Sequence, residues 1–317
     1  MSAESRWAGQ PVVVRAPATS ANLGPGFDAL GLALSMHDVA VVRVTGGGLD
    51  IEVSGEGSET AAAGEDHLVV RAMRAAFDRL SGQPPGLALR CLNTIPHGRG
   101  LGSSAAAIIT GILAARGLTA DGPGMLPDAA VLGLATELEG HADNVAACLH
   151  GSLTIAWTPD SAGPRMVRLP VLDEIRPVLC VPPEAFPTET ARGVLPATVP
   201  HQDAAANAAR SALLIAALTR VPAVLFDATH DYLHQNYRAG VMPQTADLLG
   251  RLRAAGVAAT VSGAGPSVLA ITVAGAQPGP DLVDSIAAET GIGWRISPLD
   301  VDRHGATLQM AVPAERS

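Results

Sequence analysis

Gly98-Arg99-Gly100-Leu101-Gly102-Ser103-Ser104-Ala105-Ala106 is the stretch on which the reading of this chain turns. Glycine at three alternate positions lets the backbone fold tightly and approach a ligand with no Cβ in the way. Hydroxyls and then alanines follow, so a helix is expected to begin at Ser103, where the loop ends. Its unpaired first N–H groups and its dipole then face whatever the loop encloses, an arrangement suited to a polyphosphate. Ser103 or Ser104 adds a hydroxyl for a cation. This is not a dinucleotide-binding fingerprint, because Ser103 takes the third glycine position of G-x-G-x-x-G. The plain alternative is a glycine-rich connection ahead of a Ser-capped helix.

Composition narrows what such a loop can do. The chain has 317 residues, enough for two domains or one large one, and 48 % hydrophobic against 16 % charged residues excludes a disordered chain. The net charge of −9 argues against a general nucleic-acid binder. All 21 basic residues are arginine, and no lysine occurs. Walker A loops, protein-kinase folds and Schiff-base chemistry all need a lysine and are therefore excluded. Positive charge for a phosphate has to come from arginine, backbone N–H groups or a bound cation. Cys91, Cys148 and Cys180 are far apart and odd in number, and are expected as small core residues in a reducing compartment. The first ten residues include Glu4 and Arg6 and no apolar run, and no segment is long and apolar enough to span a bilayer. A soluble, cytoplasmic chain is the expectation.

Alternating strand and helix signals place the chain in the α/β or α+β class. Strands are expected at 12–15, 39–44, 87–92, 149–157, 178–181, 257–262 and 268–273, and helices at 66–80, 103–115, 126–139, 204–219 and 245–255. A turn-rich stretch with Pro159, Gly163 and Pro164 marks a division into residues 1–165 and 166–317.

Two further clusters carry polar chemistry. Glu137, Glu139, His141, Asp143 and Asn144 cluster at the end of an expected helix. One carboxylate beside a phosphate-bound cation fits magnesium, which takes few protein ligands, and Glu139 paired with Ser104 is the choice. The alternative is a solvated helix end. In Thr19-Ser20-Ala21-Asn22-Leu23-Gly24-Pro25-Gly26-Phe27-Asp28, Asn22 and Asp28 either serve turn chemistry alone or bind a small polar ligand, with Asp28 facing an ammonium. Arg192 and Arg238 are isolated cations of the kind that clamps a carboxylate.

These segments together resemble the homoserine kinase branch of the GHMP small-molecule kinases. The likeness rests on 16–28 with Gly31-Leu32-Ala33-Leu34, on 95–106, on Glu139-Gly140-His141-Ala142-Asp143-Asn144, and on Ser262-Gly263-Ala264-Gly265-Pro266-Ser267. It spans nearly the whole chain. The resemblance implies an α+β fold, with an N-terminal ribosomal-S5-type domain and a C-terminal ferredoxin-like domain. It implies ATP phosphates on Pro96, His97, Gly98, Arg99, Gly100, Leu101, Gly102, Ser103, Ser104, Ala105 and Ala106, and Mg2+ on Ser104 and Glu139. It implies an L-homoserine pocket of Asn22, Asp28, His141, Asn144, Thr188, Arg192 and Arg238, with Asn144, Asp143 and Arg192 closest to the chemistry. The product is then O-phosphohomoserine on the route to threonine, and a homodimer is plausible for the family. Other readings are a GHMP kinase for a different alcohol, or a silent metabolite sensor. The chain departs from the family pattern at Ala142, where proline is common, at Ser152, where a second glycine is usual, and at His67, where many relatives carry an Asn near the adenine. The stretch 186–192 is a loose match.

Overall fold

The computed structural model describes residues 6–59, 61–80, 82–160 and 162–311. Glu4, named above among the first ten residues, lies outside them. The chain builds two sheets. The first opens with β1 (Val12–Ala21), β2 (Leu30–Thr45) and β3 (Gly48–Gly55). Helix α1 (Leu68–Arg79) then crosses to β4 (Gly86–Asn93), which lies parallel to β3. Four helices follow: α2 (Ser103–Leu118), α3 (Gly122–Met125), α4 (Asp128–Glu139) and α5 (Asp143–His150). Strands β5 (Leu153–Trp157) and β6 (Arg165–Leu169) return to the same sheet.

The second half contains β7 (Ile175–Val181), α6 (Thr188–Gly193), α7 (His201–Thr219), α8 (Leu225–Ala228), α9 (Gln235–Arg238) and α10 (Pro243–Ala254). It ends with β8 (Ala259–Val261), β9 (Val268–Val273), α11 (Pro280–Glu289), β10 (Arg295–Pro298) and β11 (Thr307–Met310). The first sheet runs β11-β1-β2-β4-β3, with β5 on the early part of β2 and β6 on β5. The second runs β10-β7-β9-β8, antiparallel throughout. The α+β expectation holds.

Helix α2 organises the first half. It is apolar all round and buried along almost its whole length, the mark of a central helix. Gly111 allows the close crossing with α1, since a Cβ there would meet Val69 O and lie 2.7 Å from Ala72 Cβ. In β7 and β9 the alternation of side chains divides two cores. Val178, Cys180, Val268 and Ala270 pack with Leu248, Leu252, Val283 and Ile286 under α10 and α11. Leu179, Val181, Leu269 and Ile271 face the other way, into the core shared with the first sheet. All three cysteines are buried and free, as expected, and burial pushes the Cys91 and Cys180 thiols up to about 12.

The expected strand at 149–157 is a strand only from Leu153 onward. α5 runs to His150, and Gly151 and Ser152, both at positive φ, turn the chain before β5 starts at Leu153. Ser152 keeps the left-handed conformation that a glycine would favour, and its Oγ donates to Leu169 O at 2.8 Å. The division drawn at 165 falls where β6 begins. Because β6 pairs with β5 and β11 returns to β1, the two sheets do not separate at one point in the chain. No helix among the described residues is long and apolar enough to cross a membrane.

Candidate active site

A cleft of about 720 Å³ lies over the start of α2 and is lined from both halves of the chain. Its floor is the glycine loop. Gly98, Gly100 and Gly102 have φ of 65°, 72° and 65°, a conformation that disfavours side chains. Gly102 is the N-cap of α2 and no side chain caps the helix, so the first-turn N–H groups are left for a ligand. Ala105 and Ala106, expected on the phosphates, are buried and do not line the cleft.

The loop is pressed against its neighbours. A Cβ on Gly100 would strike Ser262 O and lie 2.8 Å from Gly265 O, while one on Gly102 would strike Thr19 Oγ1. Ser262 Oγ reaches Gly100 O at 2.7 Å, and the Thr19 N–H donates to Leu101 O at 3.0 Å. The glycines are therefore required as much by packing as by a ligand's approach.

An apolar recess of about 340 Å³ adjoins the loop and shares Gly98, Ser103 and Ser104 with the cleft. His67, Val39, Ala61, Cys91 and His97 help line it. Among the described residues the buried His67 Nδ1 has no hydrogen-bond partner, and burial lowers the pKa of the ring.

Glu139, Asp143 and Asn144 meet across a corner. Gly140, at φ 90°, ends α4 immediately after Glu139, and α5 begins three residues later. The Ser104 hydroxyl donates to Glu139 Oε2 at 2.6 Å, which joins the two expected cation ligands. Burial raises the Glu139 pKa, partly offset by that bond. Asp143 is buried, and its Oδ1 accepts from the Asn144 N–H at 2.7 Å and from His141 Nδ1 at 3.2 Å. That contact with Asp143 raises the His141 pKa against the effect of burial. Asn144 is oriented by Thr19, whose hydroxyl donates to its Oδ1 at 2.7 Å. Thr19 is a supporting residue that pattern reading did not single out.

The amino-acid pocket is organised differently from expectation. Arg192 Nη2 meets Asp28 Oδ1 at 2.9 Å and Nη1 meets Oδ2 at 3.4 Å, so the expected anion clamp and ammonium acceptor pair with each other. Both are partly exposed, at 38 % and 39 % of their side-chain surface. Asn22 is engaged in the turn: its Nδ2 donates to Gly263 O at 2.8 Å and its Oδ1 accepts the Asp28 N–H at 2.9 Å.

Arg238 does not present an open fork. It is 1 % exposed, Nε donates to Ala191 O at 3.0 Å, and Nη1 donates to His234 Nδ1 at 2.9 Å. A guanidinium only donates and a carbonyl only accepts, so His234 carries its proton on Nε2, which donates to Gly24 O at 2.8 Å. Burial first, then Arg192, pulls the Arg238 pKa down to about 10. Only Nη2 is left without a bond to the described residues. His141, Thr188, Arg192 and Arg238 all line the cleft. Arg71 of α1 also lines it, a cation that the motifs did not reveal because it sits on an amphipathic helix like any surface arginine.

Residues 67–152 match the family model for the GHMP kinases N terminal domain, and 199–289 that for GHMP kinases C terminal. A homoserine kinase from Streptomyces coelicolor is 55 % identical over 297 residues, covering 94 % of each chain. The chain belongs to the homoserine kinase family. A member from Clavibacter michiganensis is 48 % identical over 305 residues, with 95 % of each chain covered. The crystal structure of homoserine kinase from Cytophaga hutchinsonii superposes with a TM-score of 0.81 at 25 % identity, over 95 % of this chain and 98 % of that one. As a member of this kinase family, the chain uses ATP as a substrate and phosphorylates a small molecule.

Proposed function

We propose that the chain transfers the γ-phosphoryl group of ATP to the side-chain hydroxyl of L-homoserine, using the cleft over α2. One observation carries the reading: Arg192, in the lining of a cleft whose floor is a helix N-terminus, is ion-paired with Asp28, a group of opposite charge. The floor suits the anionic end of a nucleotide, and the recess beside it has room for an apolar ring. The pair matches the ammonium and carboxylate of an amino acid, each partner exchanging the other for a substrate charge.

The family implies magnesium, and the donor set at Ser104 and Glu139 fits it. A hydroxyl and a carboxylate are hard oxygen donors, few in number, as this ion prefers. When bound there it would supply charge neutralisation for the phosphates. The protein's own groups do the rest. The α2 backbone N–H groups hold phosphate oxygens, Asp28 takes the ammonium, and Arg192 with the remaining Nη2 of Arg238 takes the carboxylate. Asn144, held by Thr19, directs the hydroxyl toward phosphorus. As the new O–P bond forms, the bond from the γ-phosphorus to the bridging oxygen breaks, ADP leaves with its electron pair, and the hydroxyl proton passes to solvent water. A loose transition state asks little of a base, so Asp143 acts mainly by fixing Asn144 and His141.

Phosphorylation of homoserine, 4-hydroxybutyrate and 1,3-propanediol, followed by phosphorus NMR, tests the reading. Homoserine is expected to be strongly preferred over the diol, which lacks both charges. Equal efficiency with the diol would remove the amino-acid pocket.

A further inference from the structure

Arg99 stands inside the glycine loop, where a guanidinium is expected to meet phosphate. Its donors go elsewhere. Nε donates to Pro182 O at 3.0 Å, Nη1 to His97 O at 2.8 Å, and Nη2 to Pro183 O. The Phe186 N–H adds a bond to Gly98 O at 2.9 Å. Residues 182–193 thus form a strap fastened at its start to the phosphate loop. Its far end is α6, which brings Thr188 and Arg192 to the cleft and gives Ala191 O to Arg238 Nε. Glu184 and Ala185 near its start and Glu189 in α6 are exposed. Pro182, Pro183 and Pro187 restrict the backbone, so the direction set at Arg99 carries along the strap.

We propose that Arg99 is a positioning residue for the amino-acid substrate, and that its side chain does not serve the nucleotide. It holds the strap so that Thr188 and Arg192 face the cleft. A guanidinium suits the task because its planar set of donors reaches three carbonyls at once, which an ammonium on a flexible stem does not reproduce. The proposal rests on the homoserine pocket described above.

Steady-state kinetics of the full chain and its Arg99→Met and Arg99→Lys variants test it, together with cleavage by a glutamate-specific protease. Arg99→Met is expected to raise the homoserine KM about tenfold, the loss of charge-assisted hydrogen bonds, while the ATP KM stays within about twofold. Cleavage after Glu184 and Glu189 is expected to speed up in the same variant, with Arg99→Lys intermediate on both readouts. A raised ATP KM with an unchanged homoserine KM would overturn the proposal, as would unchanged cleavage of the strap. Failure of the wild-type chain to phosphorylate homoserine would remove the substrate reading alone, since cleavage still decides whether Arg99 tethers the strap.

Discussion

Asp28→Asn separates recognition from folding. Asp28 has φ 53°, a left-handed conformation that asparagine tolerates, and its backbone N–H to Asn22 is unaffected by the change. The Asp28–Arg192 pair is more than one-third exposed on both sides. Such a pair contributes about 0–1 kcal/mol to stability, so the melting temperature is expected to move little. Binding is another matter. A carboxylate facing an ammonium at this site makes a charge-assisted contact whose loss costs about 1.5–3 kcal/mol, or roughly ten- to hundredfold in kcat/KM for homoserine. The assay compares homoserine with 4-hydroxybutyrate, which keeps the carboxylate and the hydroxyl but has no ammonium. The variant is expected to lose most of its preference between them, with the ATP KM unchanged. Equal losses on both substrates, or a large fall in stability, would refute the assignment of Asp28 to the ammonium.

Glu139→Gln is expected to lower turnover about a hundredfold while leaving folding intact, measured at saturating magnesium, because several kcal/mol of charge stabilisation depend on the cation it would hold. Gly100→Ala is expected to cost about 1–3 kcal/mol in denaturant unfolding, since its φ of 72° is strained for alanine and the new Cβ meets Ser262 O. Asp143→Asn is expected to retain more activity than Asn144→Ala; the reverse order would make Asp143 the base. Asp302 reports on pH: burial would raise its pKa, but bonds from His37 and the Gly305 and His304 N–H groups outweigh this and lower it from 3.8. Its stabilising effect is therefore full above about pH 4 and is lost as pH falls through the lowered value, so the stability gap between wild type and Asp302→Asn should close in acid.

Much of the site was legible because it is local. The glycine loop, Ser104 and the Glu139–Asn144 corner are short segments whose residue types state their geometry. What lay hidden depends on contacts across the chain. Asn22 is bonded to Gly263 and Arg192 to Asp28, partners 241 and 164 residues away, so neither engagement leaves a trace in local pattern. Arg238 reads as a free clamp in sequence and is instead a buried brace shared among Ala191, His234 and Gly263. Thr19 was quoted within a motif, yet only the fold shows that it aims Asn144. In the fold, β3 was missed although Leu49, Ile51 and Val53 alternate with polar residues and pack toward the core, and β11 spans only four residues, too few to show a period.

The most direct measurement is a crystal structure of the chain with a nonhydrolysable ATP analogue and L-homoserine. The expected arrangement puts the phosphates against the N–H groups at the start of α2, the ammonium on Asp28, and the carboxylate on Arg192 and Arg238 Nη2. The Asp28–Arg192 pair is then open, and the substrate hydroxyl lies beside Asn144 facing the γ-phosphate. Homoserine bound elsewhere, with the Asp28–Arg192 pair still closed, would contradict the account.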